Sequence, residues 1–167
     1  MSILVRDGRL DDFKFVNELE RSAIGDEANW GLDRVLSWLN AGMFKSVIIY
    51  EDNEFLSYAS AFSITRDSFI RICTGELLPE NLELSDGSTE RGFHWFGLLI
   101  TNPARYLEGW CSFAYNELLK QIGDRIVADA YSFEGESFLI RKGWVKVGDY
   151  GKPTYVNSSF PYTEIIA

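Results

Sequence analysis

Apolar residues recur along this chain at two spacings, one typical of amphipathic helices and the other of strands. In the first half, short apolar runs end at turn residues such as Asp7-Gly8 and Asp52-Asn53. The elements predicted here are a strand over residues 3–6, a helix that begins at Asp11 or Asp12 and buries Phe15, Val16 and Leu19, a helix over 32–41, a strand over 46–50 and a strand over 55–64. The turn at 51–54 makes the last two strands a hairpin.

The second half contains the most apolar segment, Phe93–Thr101, whose continuous hydrophobicity predicts a strand buried on both faces. A helix over 109–122 follows, with Cys111, Ala114, Tyr115, Leu118 and Ile122 on its apolar stripe. The remaining predicted elements are a strand over 125–130, a helix over 134–142, a strand over 144–147 and a last strand at 154–156 or 162–166. Residues 65–91 have a weaker pattern, which favours a strand over 68–72, a turn over 78–82 and a loop over 85–88.

This order of elements predicts the fold class. Strands that alternate with helices in the second half imply parallel pairing, whereas the hairpin implies an antiparallel portion. We expect an α/β fold with a mixed central sheet of about six or seven strands and helices on both faces. A chain of 167 residues without a linker or a repeat fits one domain over 1–167.

Composition narrows the classes of partner. The net charge of -9, from 25 acidic and 16 basic residues, argues against nucleic acid as a binding partner. The same charge would attract amines or basic protein patches. With two cysteines and one histidine, a zinc site is not expected. We see neither a signal-peptide pattern nor an apolar run long enough to span a membrane, so the expected location is the cytoplasm.

Candidate chemistry concentrates in residues 98–111, where a buried strand leads through Pro103 into the start of a helix. The first backbone N–H groups of a helix have no partner within it and lie at the positive end of its dipole. Such a helix start is a natural phosphate site, and Gly109 would allow a ligand to approach the backbone closely.

This segment resembles the acyl-coenzyme A-binding turn of the GNAT acyltransferase superfamily, in which a strand ending in Val-x-Pro leads to an Arg/Gln-x-x-Gly-x-Gly/Ala turn. Pro103 stands six residues before Gly109, as in the family, and Cys111 takes the small second position. Residues 138–144 are similar to the family's Tyr-x-x-x-Gly-Phe segment. The resemblance implies a GNAT-like fold and an acyl-CoA co-substrate, acetyl-CoA or another, bound by the following residues: Leu99, Ile100, Thr101, Arg105, Tyr106, Leu107, Glu108, Gly109, Trp110, Cys111 and Ser112.

Three positions depart from the family pattern. Tyr106 replaces its Arg or Gln, although Arg105 stands beside it, and Glu108 adds a negative charge where phosphates would bind. Leu139 occupies the position of the tyrosine that protonates the leaving thiolate in many members. The matching residues therefore support the fold more strongly than the activity.

Acyl transfer to an amine requires a base, because most of the amine is protonated at neutral pH. We expect His94, the only histidine, as that base, and the alternative is a core or surface histidine with a satisfied hydrogen bond. Tyr131 and Ser132 lie at the end of the next strand, where the family often places an Asn or a catalytic hydroxyl, and a structural role for each stays open.

The sequence leaves three functions open. The first is an N-acyltransferase, most simply an acetyltransferase, acting on an amine of a small molecule or a protein. The second is a non-catalytic GNAT-like binding protein, and the third is an acyltransferase that takes its acyl group from acyl carrier protein, docked at Lys120, Arg125 and Lys142.

Residues 65–91 would shape the acceptor side, where Glu76, Glu80 and Glu83 either form a solvated face or attract a cationic acceptor. The aromatic C-terminal strands are candidates for pairing in a homodimer.

Overall fold

The computed structural model describes residues 2–25, 31–90 and 92–157. Its seven strands are β1 (Ile3–Asp7), β2 (Phe44–Glu51), β3 (Glu54–Ile64), β4 (Phe93–Thr101), β5 (Ile126–Asp129), β6 (Val145–Asp149) and β7 (Pro153–Val156). The α-helices in the described ranges are α1 (Leu10–Ile24), α2 (Leu32–Asn40), α3 (Arg66–Cys73), α4 (Trp110–Ile122) and α5 (Phe133–Arg141).

The strands form one mixed sheet in the order β1-β2-β3-β4-β5-β7-β6. Among the described strands, β4 and β5 pair in parallel and every other neighbouring pair is antiparallel. The β2–β3 hairpin turns at Asp52 and Asn53, both of which have positive φ angles. The predicted mixed sheet and the predicted hairpin are therefore confirmed.

Apolar residues pack on both faces of the sheet. On one face, α1, α2 and α3 contribute Phe13, Trp38 and Phe69 to a core that includes Ile48 and Tyr58. On the other face, α4 and α5 contribute Leu118 and Phe138 to a second core, with Ile126 and Trp144. The predicted helix layers on both faces are confirmed, and the predicted stripe of α4 lies on its sheet-facing side, with Cys111 half-buried and the other four members buried.

Two local predictions were wrong. Residues 68–72 belong to α3 rather than to a strand, because Thr65 caps a helix by accepting a 3.0 Å hydrogen bond from the Ser68 amide. The helix then places Phe69, Ile72 and Cys73 together on its buried side. Among the described side chains of α1, the buried apolar residues are Phe13 and Val16, whereas Phe15 is 41% exposed and packs its ring on Phe55 at 5.2 Å.

The last strand of the described sheet is β7, the first of the two segments proposed for it. The second, 162–166, lies outside the described residues. No helix within the described ranges is long and apolar enough to cross a membrane.

Candidate active site

The parallel strands β4 and β5 are paired over only two positions, His94 with Ile126 and Trp95 with Val127. Beyond this short ladder a cavity of about 590 Å³ lies between the two strands. Its walls are residues 96–101 of β4, residues 128–132 at the end of β5, and parts of α4 and α5. The sequence predicted that β4 would be buried on both faces along its length. Residues 97–100 are instead half-buried, because the cavity takes the place of the neighbouring strand on that side.

A β-bulge in β4 lies at the point where the two strands separate. Ser60 of β3 is opposite Leu98 and Ala61 is opposite Phe96, so Gly97 is the extra residue. A Cβ atom at Gly97 would lie 3.1 Å from the ring of Phe62, which explains why glycine fits there. Bulges bend a strand and leave the ladder locally interrupted, so backbone polar groups of this segment can turn toward the cavity.

The start of α4 forms one end of the cavity. Gly109 adopts the left-handed conformation (φ 83°, ψ 7°) between a 3₁₀ segment over Pro103–Glu108 and the helix. The first hydrogen bond of the helix runs from the Phe113 amide to the Gly109 carbonyl, at 3.1 Å. The amides of residues 110–112 precede that bond and stand at the positive end of the helix dipole, which favours an anion.

Eight of the eleven residues predicted to bind the cofactor line the cavity: Leu99, Ile100, Thr101, Tyr106, Leu107, Gly109, Cys111 and Ser112. Tyr106 and Leu107 are 51% and 94% exposed and stand at its mouth. Arg105, Glu108 and Trp110 are not among the lining residues.

Arg105 points away from the cavity and contacts three carboxylates. Its guanidinium donates to Glu51 at 2.7 Å, to Glu54 at 3.1 Å and to Glu108 at 2.6 Å. The indole N–H of Trp110 donates a further hydrogen bond to Glu108, at 3.1 Å. Hydrogen bonds from Arg105 and Trp110 hold the pKa of Glu108 below its usual range, so this carboxylate is ionised but paired.

A cation that the sequence analysis did not single out lines the cavity instead. Arg141 at the end of α5 is exposed, and its side chain forms no ion pair within the described part of the chain. Burial raises the pKa of the Cys111 thiol, and the Thr101 side chain and the charges of Lys142 and Arg141 oppose that shift. Arg141 therefore adds positive charge beside the start of α4, and only its place in the 138–144 segment could have signalled it.

Of the predicted catalytic residues, Tyr131 and Ser132 line the cavity. The Ser132 hydroxyl caps α5 by accepting a 3.0 Å hydrogen bond from the Gly135 amide. The Tyr131 hydroxyl is buried without a hydrogen-bond partner in the described structure. Burial raises the pKa of Tyr131, and the charges of Asp129, Glu80 and Glu20 raise it further, so the phenol stays protonated at neutral pH.

His94, the predicted base, lies elsewhere. It is 4% exposed, its Nε2 atom is 3.2 Å from the Ser63 hydroxyl, and it is not among the residues that line the cavity. Burial lowers its pKa to about 4. The site does not bring His94 together with Tyr131 and Ser132.

Two carboxylates that the sequence analysis missed do line the cavity. Glu20 reaches it from α1, and burial raises its pKa to about 7. Asp129 ends β5, and burial raises its pKa to about 6 against a 2.6 Å hydrogen bond from the Thr154 hydroxyl. Neither belongs to a local motif. Within the described residues, no group of three or more His, Cys, Asp or Glu side chains could hold a metal ion.

No protein-family model matches the sequence, and no significant match is found among curated proteins. Solved structures do match. Arabidopsis thaliana NAA60 in complex with acetyl-CoA is 12% identical, with a TM-score of 0.67 over 93% of this chain and 97% of that one.

Two bacterial structures agree with this result. A GNAT-family acetyltransferase from Streptococcus agalactiae is 11% identical, with a TM-score of 0.62 over 92% of this chain and 93% of that one. A GCN5-related N-acetyltransferase from Ralstonia eutropha is 18% identical, with a TM-score of 0.59 over 86% of this chain and 93% of that one. At identities this low, the matches show the fold alone, and the chain has the fold of the GNAT acetyltransferases.

Proposed function

We propose that this protein is an acyl-CoA-dependent N-acyltransferase that transfers an acyl group, most simply acetyl, to an amine. The observation that carries the proposal is the cavity between β4 and β5. It combines a bulged strand, a helix start and ionisable side chains in one space. A thioester co-substrate supplies an activated acyl group. The protein has to bind and orient this co-substrate, take a proton from the amine and supply a proton to the departing thiolate.

The residues at the start of α4 suit a diphosphate. The helix start offers backbone N–H donors, and Arg141 adds a cation on the facing helix. Glu108 does not oppose this, since Arg105 and Trp110 already bind its carboxylate. The backbone of β4 beyond Gly97 would hold an extended pantetheine arm and polarise a thioester carbonyl.

Two side chains supply the acid–base chemistry. Glu20, with a pKa of about 7, is suited to take a proton from the amine, because a base is most effective when its pKa lies near the working pH. The Tyr131 hydroxyl stays protonated and would donate its proton toward the departing thiolate. In this proposal Tyr131 replaces the donor that Leu139 cannot provide, and His94 has no catalytic role.

Binding is tested by calorimetry with acetyl-CoA. We expect saturable binding that is lost in Ser112→Glu, because the new carboxylate would stand among the amides that face the phosphates. A glutamate in the first turn also favours the helix itself, so the loss would not report unfolding. Asn116→Glu, on the same helix but outside the cavity, is the matched control and should bind as the wild type does. Absence of binding to acetyl-CoA and to longer acyl-CoAs would overturn the proposal.

Turnover is tested by thiol release with a panel of amines. Tyr131→Phe should reduce kcat by about tenfold or more, because it removes a general acid. Its stability should be unchanged or higher, since the hydroxyl that it deletes is buried without a partner. Binding without turnover over the whole panel would instead support the non-catalytic alternative.

An acyl-carrier-protein donor receives less support. Lys120 pairs with Glu117, Arg125 lies over the Phe93 ring, and Lys142 lies over the rings of Tyr115 and Phe138. These cations are engaged within the chain rather than arrayed as a patch. Parallel assays with acetyl-CoA and acetylated carrier protein would separate the two donors.

A further inference from the structure

A second, smaller pocket adjoins the main cavity. It has a volume of about 80 Å³ and lies between residues 77–80, which follow α3, and the turn at 150–152 between β6 and β7. Asp129 lines both the pocket and the cavity, so its carboxylate stands on the wall that the two spaces share. The ring of Tyr150 closes one side by packing on Gly75 and Gly148, where any Cβ atom would collide with it.

Neither Asp129 nor Glu80 forms an ion pair with a cation among the described residues, although Lys152 is close enough for its charge to act on Asp129. Asp129 accepts a 2.6 Å hydrogen bond from a neutral group, the Thr154 hydroxyl. Glu80 is exposed, and only its backbone carbonyl is bound, by Arg34 at 2.6 Å. Besides burial, the charge of Glu80 raises the pKa of Asp129 and the charge of Lys152 lowers it, and the charges of Asp129 and Glu80 both raise the pKa of Tyr131.

One cation lies close but is used differently. The ammonium group of Lys152 sits 4.0 Å from the centre of the Tyr131 ring, in a cation–π contact. It lines the small pocket without forming an ion pair to Asp129 or Glu80 in the described structure. Among the described residues that line the small pocket, the charged ones are Glu80, Asp129 and Lys152, so the balance of charge in that pocket is negative.

A second feature points to a ligand in the same place. The Tyr131 hydroxyl is fully buried on the cavity wall yet has no hydrogen-bond partner within the described chain. An unpaired buried hydroxyl is costly, and it is normally satisfied by a ligand or an ordered water. It lies next to the carboxylates, so a bound amine could accept from or donate to it.

We infer that the acceptor is an aliphatic diamine or polyamine, with one ammonium group held by Asp129 and Glu80 in the small pocket while a second nitrogen stands in the main cavity near Glu20. This inference rests on the proposed function and specifies its acceptor. In the transfer, the ammonium group in the cavity first loses one proton to Glu20, which releases it to solvent. The neutral nitrogen then forms the nitrogen–carbon bond and gives its second proton to Glu20 as the carbon–sulfur bond breaks. The thiolate takes a proton from Tyr131, and the proton held by Glu20 returns to Tyr131 through solvent. The nitrogen in the small pocket keeps its charge throughout.

The choice of a cation follows from the charges. An acceptor with a carboxylate at the far end would meet two carboxylates in the small pocket, whereas an alkyl chain would leave them unpaired. The net charge of -9 also favours the approach of cations over anions. Specificity here would come as much from rejection of anionic amines as from attraction of cationic ones.

The test compares three amines of similar length: putrescine, n-butylamine and γ-aminobutyrate. With acetyl-CoA as donor, we expect kcat/KM for putrescine to exceed that for n-butylamine by about tenfold, and γ-aminobutyrate to be the poorest. Glu80→Gln and Asp129→Asn should each lower the putrescine to n-butylamine ratio by about fivefold. Glu76→Gln, an exposed residue of the same segment outside the pocket, is the matched control and should leave the ratio unchanged.

The outcomes separate this inference from the proposed function. Equal kcat/KM values for putrescine and n-butylamine, or a preference for γ-aminobutyrate, would overturn the inference and leave acyl transfer intact. Failure of acetyl-CoA to bind would overturn the proposed function. If no amine is acetylated, calorimetric titration of putrescine decides: binding that Glu80→Gln weakens and Glu76→Gln does not supports the pocket, and absence of binding overturns it.

Discussion

Arg105 donates a 2.6 Å hydrogen bond from Nε to the Glu108 carboxylate, and the same guanidinium reaches Glu51 and Glu54 on the β2–β3 hairpin. The turn before α4 is thereby tied to a hairpin more than 50 residues earlier in the chain. The pairing neutralises Glu108 close to the mouth of the cavity. Arg105, which the sequence predicted to bind phosphate, instead positions the turn that is proposed to bind it.

Arg105→Ala should weaken acetyl-CoA binding by about threefold to tenfold, because an unpaired Glu108 would repel the phosphates across the mouth. The effect should shrink at high salt, where charges near the surface are screened. Calorimetry at low and high ionic strength measures both the loss and its salt dependence.

The double variant Arg105→Ala/Glu108→Ala is the matched control for that explanation. It should recover most of the affinity, since the repelling charge is gone. Lys14→Ala, an exposed cation on α1 that pairs with Asp11 at 4.0 Å, should bind as the wild type does. If the double variant binds as weakly as Arg105→Ala, repulsion by Glu108 is not the cause.

Gly97→Ala tests whether the bulge in β4 is needed. The new methyl group would meet the Phe62 ring at 3.1 Å and the Ser60 hydroxyl at 3.2 Å, so either the strand or its neighbours must shift. We expect a loss of about 1–3 kcal/mol in the free energy of unfolding, measured by denaturant titration, and a lower kcat. Gly92→Ala is the control, because a Cβ atom there meets nothing within 4 Å. Equal losses of stability and kcat in Gly97→Ala and Gly92→Ala would show that the protein does not depend on glycine at the bulge.

The fold was predictable where the periodicity was long and regular. Strand β4 and helix α4 have nine and thirteen residues, and both were placed to within a residue or two. Helix α3 was missed because its eight residues include Phe69, Ile70 and Ile72, which are residue types that favour a strand locally. Its helical conformation depends on the Thr65 cap, a local signal that the prediction did not use, and on burial of Phe69, which a local pattern does not reveal.

The backbone of the site was more predictable than its side chains. The turn around Gly109 could be placed from Pro103 and the helix pattern, and the residues of that turn do line the cavity. The direction of the Arg105 side chain could not be predicted, because its partners lie on a distant hairpin. Glu20 and Asp129 were missed for the same reason, since only the folded sheet brings them to one cavity.

Glu20 should make the protein less stable as the pH rises. Burial raises its pKa from 4.5 to about 7, so between these values the folded state binds more protons than the unfolded state. The free energy of unfolding therefore falls as the pH increases from 4.5 through 7, by roughly 3 kcal/mol from this residue. Glu20→Gln should remove that fall, as measured by urea denaturation between pH 4.5 and 8. Glu18→Gln, exposed on the same helix, is the control, and an identical fall in both variants would contradict the assignment.

His94 should show the opposite pH dependence. Its pKa is lowered by burial from 6.5 to about 4, so between these values the unfolded state binds more protons than the folded state. Stability contributed by the neutral imidazole is present above pH 6.5 and is lost as the pH falls toward 4, by roughly 3 kcal/mol.

Because His94 is the only histidine, its ring protons can be followed directly by NMR during a pH titration. We expect no titration near pH 6.5 in the folded protein, and His94→Gln should flatten the acid side of the stability profile. A midpoint near 6.5 in the folded state would instead place an accessible imidazole at this position, and it would return His94 to consideration as the base.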